Sequence, residues 1–212
     1  MKLQLALDLV DIPQAKKLLA EVQDLIDIVE IGTPFIIREG LKAIREIKQT
    51  FPTLELLADL KIMDAGAYEA TLAYDAGADI VTVLGAANDT TIENVIEVTM
   101  QRHKKVMVDM IAVKNIEARV RELDRLPISY LSVHTAADRH TQGDNPLAEL
   151  QQVRQVLQNA GLAVAGGITV ETLPQLIPFQ PEIVIVGGAI TAAAQRRQVA
   201  LAMKQLIGGK TG

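Results

Sequence analysis

The sequence predicts an α/β protein, a (β/α)8 TIM barrel in a single compact domain. Short apolar runs of strand length recur eight times, and each is apolar at consecutive rather than alternate positions, which is typical of parallel strands covered on both faces. The segments between the runs have the properties of helices. Eight units in 212 residues give about 26 residues each, near the minimum for a strand–helix–strand crossover, so no second domain fits.

The predicted elements alternate along the whole chain. The apolar runs, in order, are Leu3–Leu7, Ile26–Ile31, Leu54–Leu60, Ile80–Leu84, Val106–Met110, Tyr130–Val133, Leu162–Ala165 and Ile183–Val186. Ile12–Gln23 is predicted as a helix because it follows an aspartate and has an early proline. Ile36–Thr50 repeats apolar residues at helical spacing, and Leu147–Ala160 ends at a glycine. We place the barrel at residues 1–207 and a C-terminal tail at 208–212.

A doubly wound open sheet is the alternative fold. It predicts a Gly-x-Gly-x-x-Gly fingerprint directly after the first strand. The chain instead reads Asp8-Leu9-Val10-Asp11 at that point. The closed barrel is therefore the favoured architecture.

Composition and charge exclude several classes of function. With no cysteine, a disulfide framework, a thiolate zinc site and a cysteine nucleophile are all impossible. A net charge of -5 and the absence of tryptophan disfavour nucleic acid as a partner. The longest run without an ionised side chain, 155–170, is too short and too polar to span a bilayer. Because Asp8 and Asp11 come early, we expect no signal peptide and a cytoplasmic protein.

Ionisable side chains fall near the carboxyl ends of five predicted strands. They are Asp8, Glu30, Asp59 with Lys61, Asp109 and His134. In (β/α)8 barrels the active site lies at this end, here called the mouth of the barrel. A salt bridge or a loop cap would explain any one of these residues alone. Their recurrence on five strands predicts a catalytic site.

The third strand supplies two of these groups. Asp59 and Lys61 are two residues apart on an extended segment, so both side chains should face the mouth. Carboxylates beside Lys61 should keep it protonated, which suits an electrostatic role better than a nucleophilic one. Four carboxylates around one lysine imply either a bound cation or a raised carboxyl pKa. An oxygen-only ligand set points to magnesium.

Two glycine pairs occupy the other half of the predicted mouth. Gly166 and Gly167 follow the seventh strand, Gly187 and Gly188 follow the eighth, and each pair leads into a predicted helix, from Thr169 or Thr191. Glycine lets backbone amides approach a phosphate, and these two loops often bind phosphate in such barrels. An ordinary turn would explain one pair, whereas two pairs at these positions predict a phosphate site.

Several segments together resemble a known family. They are Leu5–Asp8, Val29–Pro34, Ala58–Gly66, Val108–Ile111, Val133–Thr135 and the two glycine pairs. This set is similar to the 3-hexulose-6-phosphate synthases, which belong to the orotidine 5'-monophosphate decarboxylase suprafamily. The Asp-x-Lys-x-x-Asp motif of that suprafamily matches Asp59, Lys61 and Asp64, and the resemblance extends from residue 1 to about residue 207.

The resemblance implies a magnesium-dependent aldehyde-lyase. The implied reaction is the reversible aldol addition of formaldehyde to D-ribulose 5-phosphate, which gives D-arabino-hex-3-ulose 6-phosphate through an enediolate. Glu30 and Asp59 match the family's metal ligands, and Asp8 and Asp109 line the same site. His134 is the candidate for proton transfer because imidazole titrates near neutral pH. The motif also implies a homodimer in which Asp64 completes the partner's site.

Two alternative functions remain open. The 3-keto-L-gulonate 6-phosphate decarboxylases share the barrel, the metal site and the phosphate loops, but they carry an arginine where this chain has Ala137 and a glutamate where it has Asp109. Both departures favour the synthase. A barrel that binds sugar phosphate without turnover is the second alternative, although a binder needs no combined metal, lysine and histidine set.

Overall fold

Eight parallel strands close into a barrel. The computed structural model describes residues 1–135 and 147–208. The strands are Lys2–Leu7 (β1), Ile28–Ile31 (β2), Glu55–Ile62 (β3), Ile80–Leu84 (β4), Lys105–Asp109 (β5), Tyr130–His134 (β6), Gly161–Ala165 (β7) and Ile183–Val186 (β8). They pair in chain order, and β8 also pairs with β1. The predicted (β/α)8 barrel is confirmed.

Helices surround the barrel. The α-helices of the described residues are Ile12–Val22 (α1), Thr33–Glu39 (α2), Lys42–Thr50 (α3), Gly66–Ala76 (α4), Asp89–Gln101 (α5), Ile116–Leu123 (α6), Leu147–Val156 (α7), Gly188–Thr191 (α8) and Arg196–Gly208 (α9). Within residues 1–135 and 147–208, none of them has both the length and the apolarity that a membrane crossing requires. Gly208 ends α9 rather than starting the tail, and residues 209–212 lie outside the described residues.

Strand side chains alternate between two packing regions. On β1, Leu3, Leu5 and Leu7 pack into the layer beneath the helices, whereas Ala6 belongs to a separate cluster inside the barrel. The other members of this inner cluster are Ile28, Leu57, Ile80, Met107, Tyr130, Ala163, Ala165, Ile183 and Ile185. Farther along β2 to β5 the inward-facing positions become polar. The apolar cluster inside the barrel therefore lies directly beneath the polar mouth.

The single helix predicted over Ile36–Thr50 is wrong. The chain forms α2 and α3 instead, separated at Gly40, whose φ is +63°. Glycine adopts this left-handed conformation without the steric cost that a side chain imposes. α2 begins at Thr33, directly after β2, and this places Thr33 close to the mouth.

The helix starts predicted at Thr169 and Thr191 are also wrong. After β7 the chain forms two short 3-10 helices, Leu173–Gln175 and Ile177–Phe179, each with a proline in its first turn. Proline lacks the N–H that a continuous helix needs, so these turns stay short. After β8, Thr191 ends the four-residue α8 rather than starting a helix, and the longer α9 follows.

Asp124 caps the end of the barrel opposite the mouth. This aspartate is 5% exposed and ends α6. Its carboxylate accepts hydrogen bonds from the backbone N–H groups of Gln158, Asn159 and Ala160, with distances of 2.7 to 3.1 Å. One carboxylate thus satisfies three consecutive donors at the turn before β7.

We expect Asp124→Ala to lower the free energy of unfolding by about 2–4 kcal/mol, because it removes the buried carboxylate that accepts from three backbone N–H groups. Urea titration measures the change. Asp75→Ala is the matched control, since Asp75 forms only an exposed ion pair with Arg102 and should cost below about 1 kcal/mol. Equal losses for the two variants would contradict the structural role of Asp124.

Candidate active site

A distortion of β3 brings Lys61 to the mouth. The pairing of β3 with β4 shifts register between Ala58 and Ile62, and Lys61 has a φ of +49°. The extended geometry predicted for Lys61 is therefore wrong. The predicted proximity is nevertheless confirmed, because Lys61 Nζ lies 2.5 Å from Asp59 Oδ2. A bulge of this kind redirects a side chain at a strand end.

Two threonines hold the Asp59 carboxylate. Thr82 Oγ1 on β4 donates to Asp59 Oδ1 at 2.8 Å and accepts from the Lys61 backbone N–H at 2.9 Å. Thr33 Oγ1, at the start of α2, lies 2.8 Å from Asp59 Oδ2. Sequence reasoning missed both residues. For Thr82 the available signal was a single hydroxyl within the apolar run Ile80–Leu84.

Lys61 also contacts a second acid, Asp109, which in turn contacts His134. Lys61 Nζ lies 3.4 Å from Asp109 Oδ2, and the same oxygen lies 2.8 Å from His134 Nδ1. Asp109 is 3% exposed, and its other oxygen accepts from the Ile111 backbone N–H. The structure thus links Asp59, Lys61, Asp109 and His134 in one continuous set of contacts.

Charge states follow from these contacts. Burial opposes the ammonium of Lys61, but the nearby carboxylates of Asp59 and Asp109 raise its pKa above the ordinary value. Burial alone would raise the pKa of Asp109, yet the hydrogen bond from His134 and the charge of Lys61 hold that pKa below its usual range. An ionised Asp109 only accepts, so it takes the Nδ1–H of His134 and leaves Nε2 to exchange a proton.

Glu30 lies deeper in the barrel. Its side chain is 8% exposed, and Oε2 accepts a hydrogen bond from Gln4 Nε2 at 2.6 Å. Burial, reinforced by repulsion from Asp59, raises the pKa of Glu30 to about 8. A raised carboxyl pKa is one of the two consequences predicted for crowded carboxylates; the other, a bound cation, stays a prediction. Gln4 was missed by sequence reasoning, although it is the single amide within the first apolar run.

Asp8 lies beside the loop after β8. Burial and the charge of Asp59 raise the pKa of Asp8. A Cβ atom on Gly32 would stand 2.0 Å from Asp8 Oδ1, so a side chain at position 32 would displace the Asp8 carboxylate. A Cβ atom on Gly187 would lie 3.6 Å from Asp8 Oδ2. Asp8 thus borders the glycine pair on which the phosphate prediction depends.

The two glycine pairs differ in their surroundings. Gly166 and Gly167 both have positive φ, and a Cβ atom on Gly166 would contact Thr135 at 2.9 Å, directly after His134. Gly188 begins α8, and a Cβ atom there would meet open space. Backbone amides in the first turn of a helix lack intrahelical partners and favour an anion. The loops border the mouth, and phosphate binding by them stays a prediction.

Asp64 stands apart from the other predicted site residues. It is exposed, and its Oδ1 accepts from the backbone N–H of Ala65 at 2.7 Å. Apolar side chains that precede or follow it in the chain are also exposed: 52% for Met63, 69% for Tyr68 and 36% for Leu72. Tyr68 and Leu72 are four residues apart on α4 and share a face.

Glu30 and Asp59 have the chemistry of magnesium ligands. Both are buried and present carboxylate oxygens as possible metal ligands, and a cation would offset the repulsion between the two carboxylates. Within residues 1–135 and 147–208, no group of three or more histidine and carboxylate side chains forms a complete metal cage. Magnesium commonly takes only one or two carboxylates, with water and substrate oxygens completing its octahedron, so the pair fits this ion.

The barrel is closed, and acids, a lysine and a histidine contact one another at its mouth. Enzymes with a (β/α)8 barrel have their active sites at this end. The model of the orotidine 5'-phosphate decarboxylase / HUMPS family matches residues 1–203, and the chain belongs to this family. The resemblance inferred from the sequence motifs is thereby confirmed.

Named relatives agree with this assignment. The chain is 54% identical over 207 residues to the 3-hexulose-6-phosphate synthase of Bacillus subtilis (strain 168), covering 98% of this chain and 99% of the relative. The crystal structure of the Salmonella typhimurium 3-hexulose-6-phosphate synthase matches with a TM-score of 0.96 at 45% identity over 98% of each chain. A Vibrio cholerae 3-keto-L-gulonate-6-phosphate decarboxylase matches with a TM-score of 0.87 at 25% identity, covering 98% and 97%.

We expect the metal-free protein to lose stability as pH rises from about 4.5 to about 8, because Glu30 ionises in the unfolded chain before it ionises in the folded one. The stabilisation that protonated Glu30 contributes is complete below about pH 4.5 and lost above about pH 8. Urea titrations with chelator, for wild type and Glu30→Gln, should show the difference in unfolding free energy falling by about 1.4 kcal/mol per pH unit. A flat or rising difference would contradict the raised pKa.

Proposed function

We propose that this protein is an aldolase that joins formaldehyde to D-ribulose 5-phosphate, giving D-arabino-hex-3-ulose 6-phosphate, and that it also catalyses the reverse cleavage. The observation that carries the proposal is full-length similarity at 54% identity to a 3-hexulose-6-phosphate synthase. The contacts that link Asp59, Lys61, Asp109 and His134 support it, because they assemble the charges that such a reaction needs.

The chemistry begins with transfer of a C1 proton from ribulose 5-phosphate to a base, for which His134 Nε2 is the candidate, and this creates an enediolate. Lys61 supplies a fixed ammonium close to the developing negative charge. Glu30 and Asp59 would hold magnesium, which would supply Lewis acidity to stabilise that charge. The enediolate carbon then bonds to the formaldehyde carbon, and the new alkoxide takes a proton. His134 is suited to proton transfer because Asp109 fixes its ring and leaves Nε2 available.

Lys61 is assigned an electrostatic role. A Schiff-base aldolase needs a neutral amine as its nucleophile. Here Asp59 and Asp109 raise the pKa of Lys61, so the amine is held as an ammonium. This favours a metal-dependent aldol reaction over a covalent one.

A decarboxylase acting on 3-keto-L-gulonate 6-phosphate is the competing function, since the Vibrio cholerae enzyme of that name shares the fold at 25% identity. Asp109 favours the synthase because it is shorter than the decarboxylase's glutamate. The second distinguishing position, Ala137, lies outside the described residues. A non-catalytic sugar-phosphate binder is disfavoured by the connected lysine and histidine contacts. We also propose a cytoplasmic location.

We expect six-carbon product when the protein is incubated with ribulose 5-phosphate, formaldehyde and magnesium, and we expect excess chelator to abolish turnover. Product detection by mass spectrometry measures both, and 3-keto-L-gulonate 6-phosphate serves as the comparison substrate. Full activity in chelator, with metal absence verified by elemental analysis, would contradict the magnesium mechanism. Turnover of the gulonate compound alone would favour the decarboxylase.

We expect Gly188→Val to raise KM for ribulose 5-phosphate by about tenfold or more with a smaller change in kcat, because a side chain entering the open space at α8 obstructs the phosphate. Initial-rate kinetics measure both constants. Gly208→Val is the matched control, since its Cβ atom also meets open space, at the end of α9. An unaltered saturation curve for Gly188→Val would place the phosphate elsewhere.

We further propose a homodimer in which Asp64 completes the partner's site. The exposed position of Asp64 and the apolar surface of Met63, Tyr68 and Leu72 support this, because such a patch suits an isologous contact. Ile62, which precedes Met63, is fully buried in the core of its own chain and is not part of this surface.

We expect a mixture of two inactive variants, Asp64→Asn and Lys61→Ala, to recover up to about a quarter of wild-type activity, because half of the dimers are mixed and each holds one intact site. Activity is measured after subunit exchange has been verified by mass spectrometry. Each variant alone is the control. A lack of recovery, or a fully active monomer by light scattering, would show that one chain builds the whole site.

A further inference from the structure

Gln4 is a polar residue enclosed by the barrel. It lies on β1, pairs with Ile28 on β2 and Ile185 on β8, and is 0% exposed. Its neighbours along the strand, Leu3 and Leu5, face the outer layer. Gln4 therefore points inward, on the same side of β1 as Asp8.

The amide of Gln4 is only half satisfied. Its Nε2 donates to Glu30 Oε2 at 2.6 Å, while its buried Oε1 has no hydrogen-bond partner in the described part of the chain. A buried acceptor without a partner destabilises a folded protein, and an apolar side chain of similar length would avoid that cost. Residues that break a local rule of this kind cluster at functional sites.

The hydrogen bond from Gln4 restricts the orientation of the Glu30 side chain. Glu30 has three rotatable side-chain bonds, and its placement decides whether its carboxylate meets that of Asp59 around one ion. The Gln4 bond holds one Glu30 oxygen and leaves the other for a cation. Magnesium keeps several water molecules when protein-bound, and these waters need acceptors. Gln4 Oε1 is an unpartnered acceptor on the same amide that bonds Glu30.

We propose that Gln4 is a positioning residue for the metal site, orienting Glu30 through Nε2 and accepting a hydrogen bond from the ion's hydration shell through Oε1. This inference rests on the proposed function, because it assumes that Glu30 binds a divalent cation. Gln4 itself touches no reacting atom. Its effect should appear in metal affinity, as is usual for residues that orient metal ligands.

The test is a Mn2+ titration of the metal-free protein followed by electron paramagnetic resonance, with wild type, Glu30→Gln, Gln4→Met and Gln4→Asn. Gln4→Met keeps the side-chain length and removes both polar atoms, while Gln4→Asn keeps the amide and withdraws it. We expect both to raise the Kd for Mn2+ by about 10- to 100-fold. Met107→Leu is the matched control, since Met107 is 1% exposed inside the same barrel. Its Kd should equal that of wild type.

The outcomes separate the two claims. If Glu30→Gln abolishes binding while both Gln4 variants keep the wild-type Kd, the role of Gln4 is overturned and the proposed function stands. If wild type does not bind Mn2+, or if Glu30→Gln binds normally, the metal assignment and the Gln4 inference both fail. The metal-free Gln4→Met protein should melt within about 4 °C of wild type. Failure of both Gln4 variants to fold would show a packing residue and overturn the inference.

Discussion

Repulsion between enclosed carboxylates is the constraint on which this structure depends. Glu30, Asp59 and Asp109 each remain at most 8% exposed at one end of the barrel, with Asp8 beside them. Buried like charges are costly unless counter-charge, hydrogen bonds or protonation compensate. The mouth uses all three. Lys61 supplies the charge, threonine and histidine supply the bonds, and Glu30 carries the raised pKa.

The compensation is distributed unevenly, and this asymmetry gives each acid a different state. Asp109 has a positively charged neighbour and a donor on each oxygen, so its pKa falls. Glu30 is buried and repelled by Asp59, and the hydrogen bond from the neutral amide of Gln4 offsets this only in part, so its pKa rises. Carboxyl groups thus provide an ionised anchor for His134 at one side of the mouth and an acid that favours its protonated form at the other.

The sequence was sufficient for the barrel and for the residues at its strand ends. The consecutive apolar positions and the lengths of the apolar runs identified the strands. The barrel topology then predicted that Asp59, Lys61, Asp109 and His134 lie together. Thr82 and Gln4 were not found, because a polar residue facing into a barrel is indistinguishable by pattern from one on an ordinary strand. The bulge at Lys61 depends on tertiary pairing with β4, which no local signal encodes. Proline chemistry could have warned against a helix from Thr169, since Pro174 follows closely.

The bulge in β3 has a consequence for redesign of the barrel. The backbone N–H of Lys61 donates to the Thr82 hydroxyl on the neighbouring strand. The local backbone path of β3 therefore depends on a side chain of β4 as much as on the backbone hydrogen bonds between the two strands. The backbone path at position 61 is therefore set largely by position 82, whereas the charge at position 61 balances two buried carboxylates. A library that varies the mouth would keep its scaffold by retaining the threonine and by exchanging the lysine only together with one of the acids that it neutralises. New activities would thus be reached by changing charges in balanced pairs on a fixed backbone.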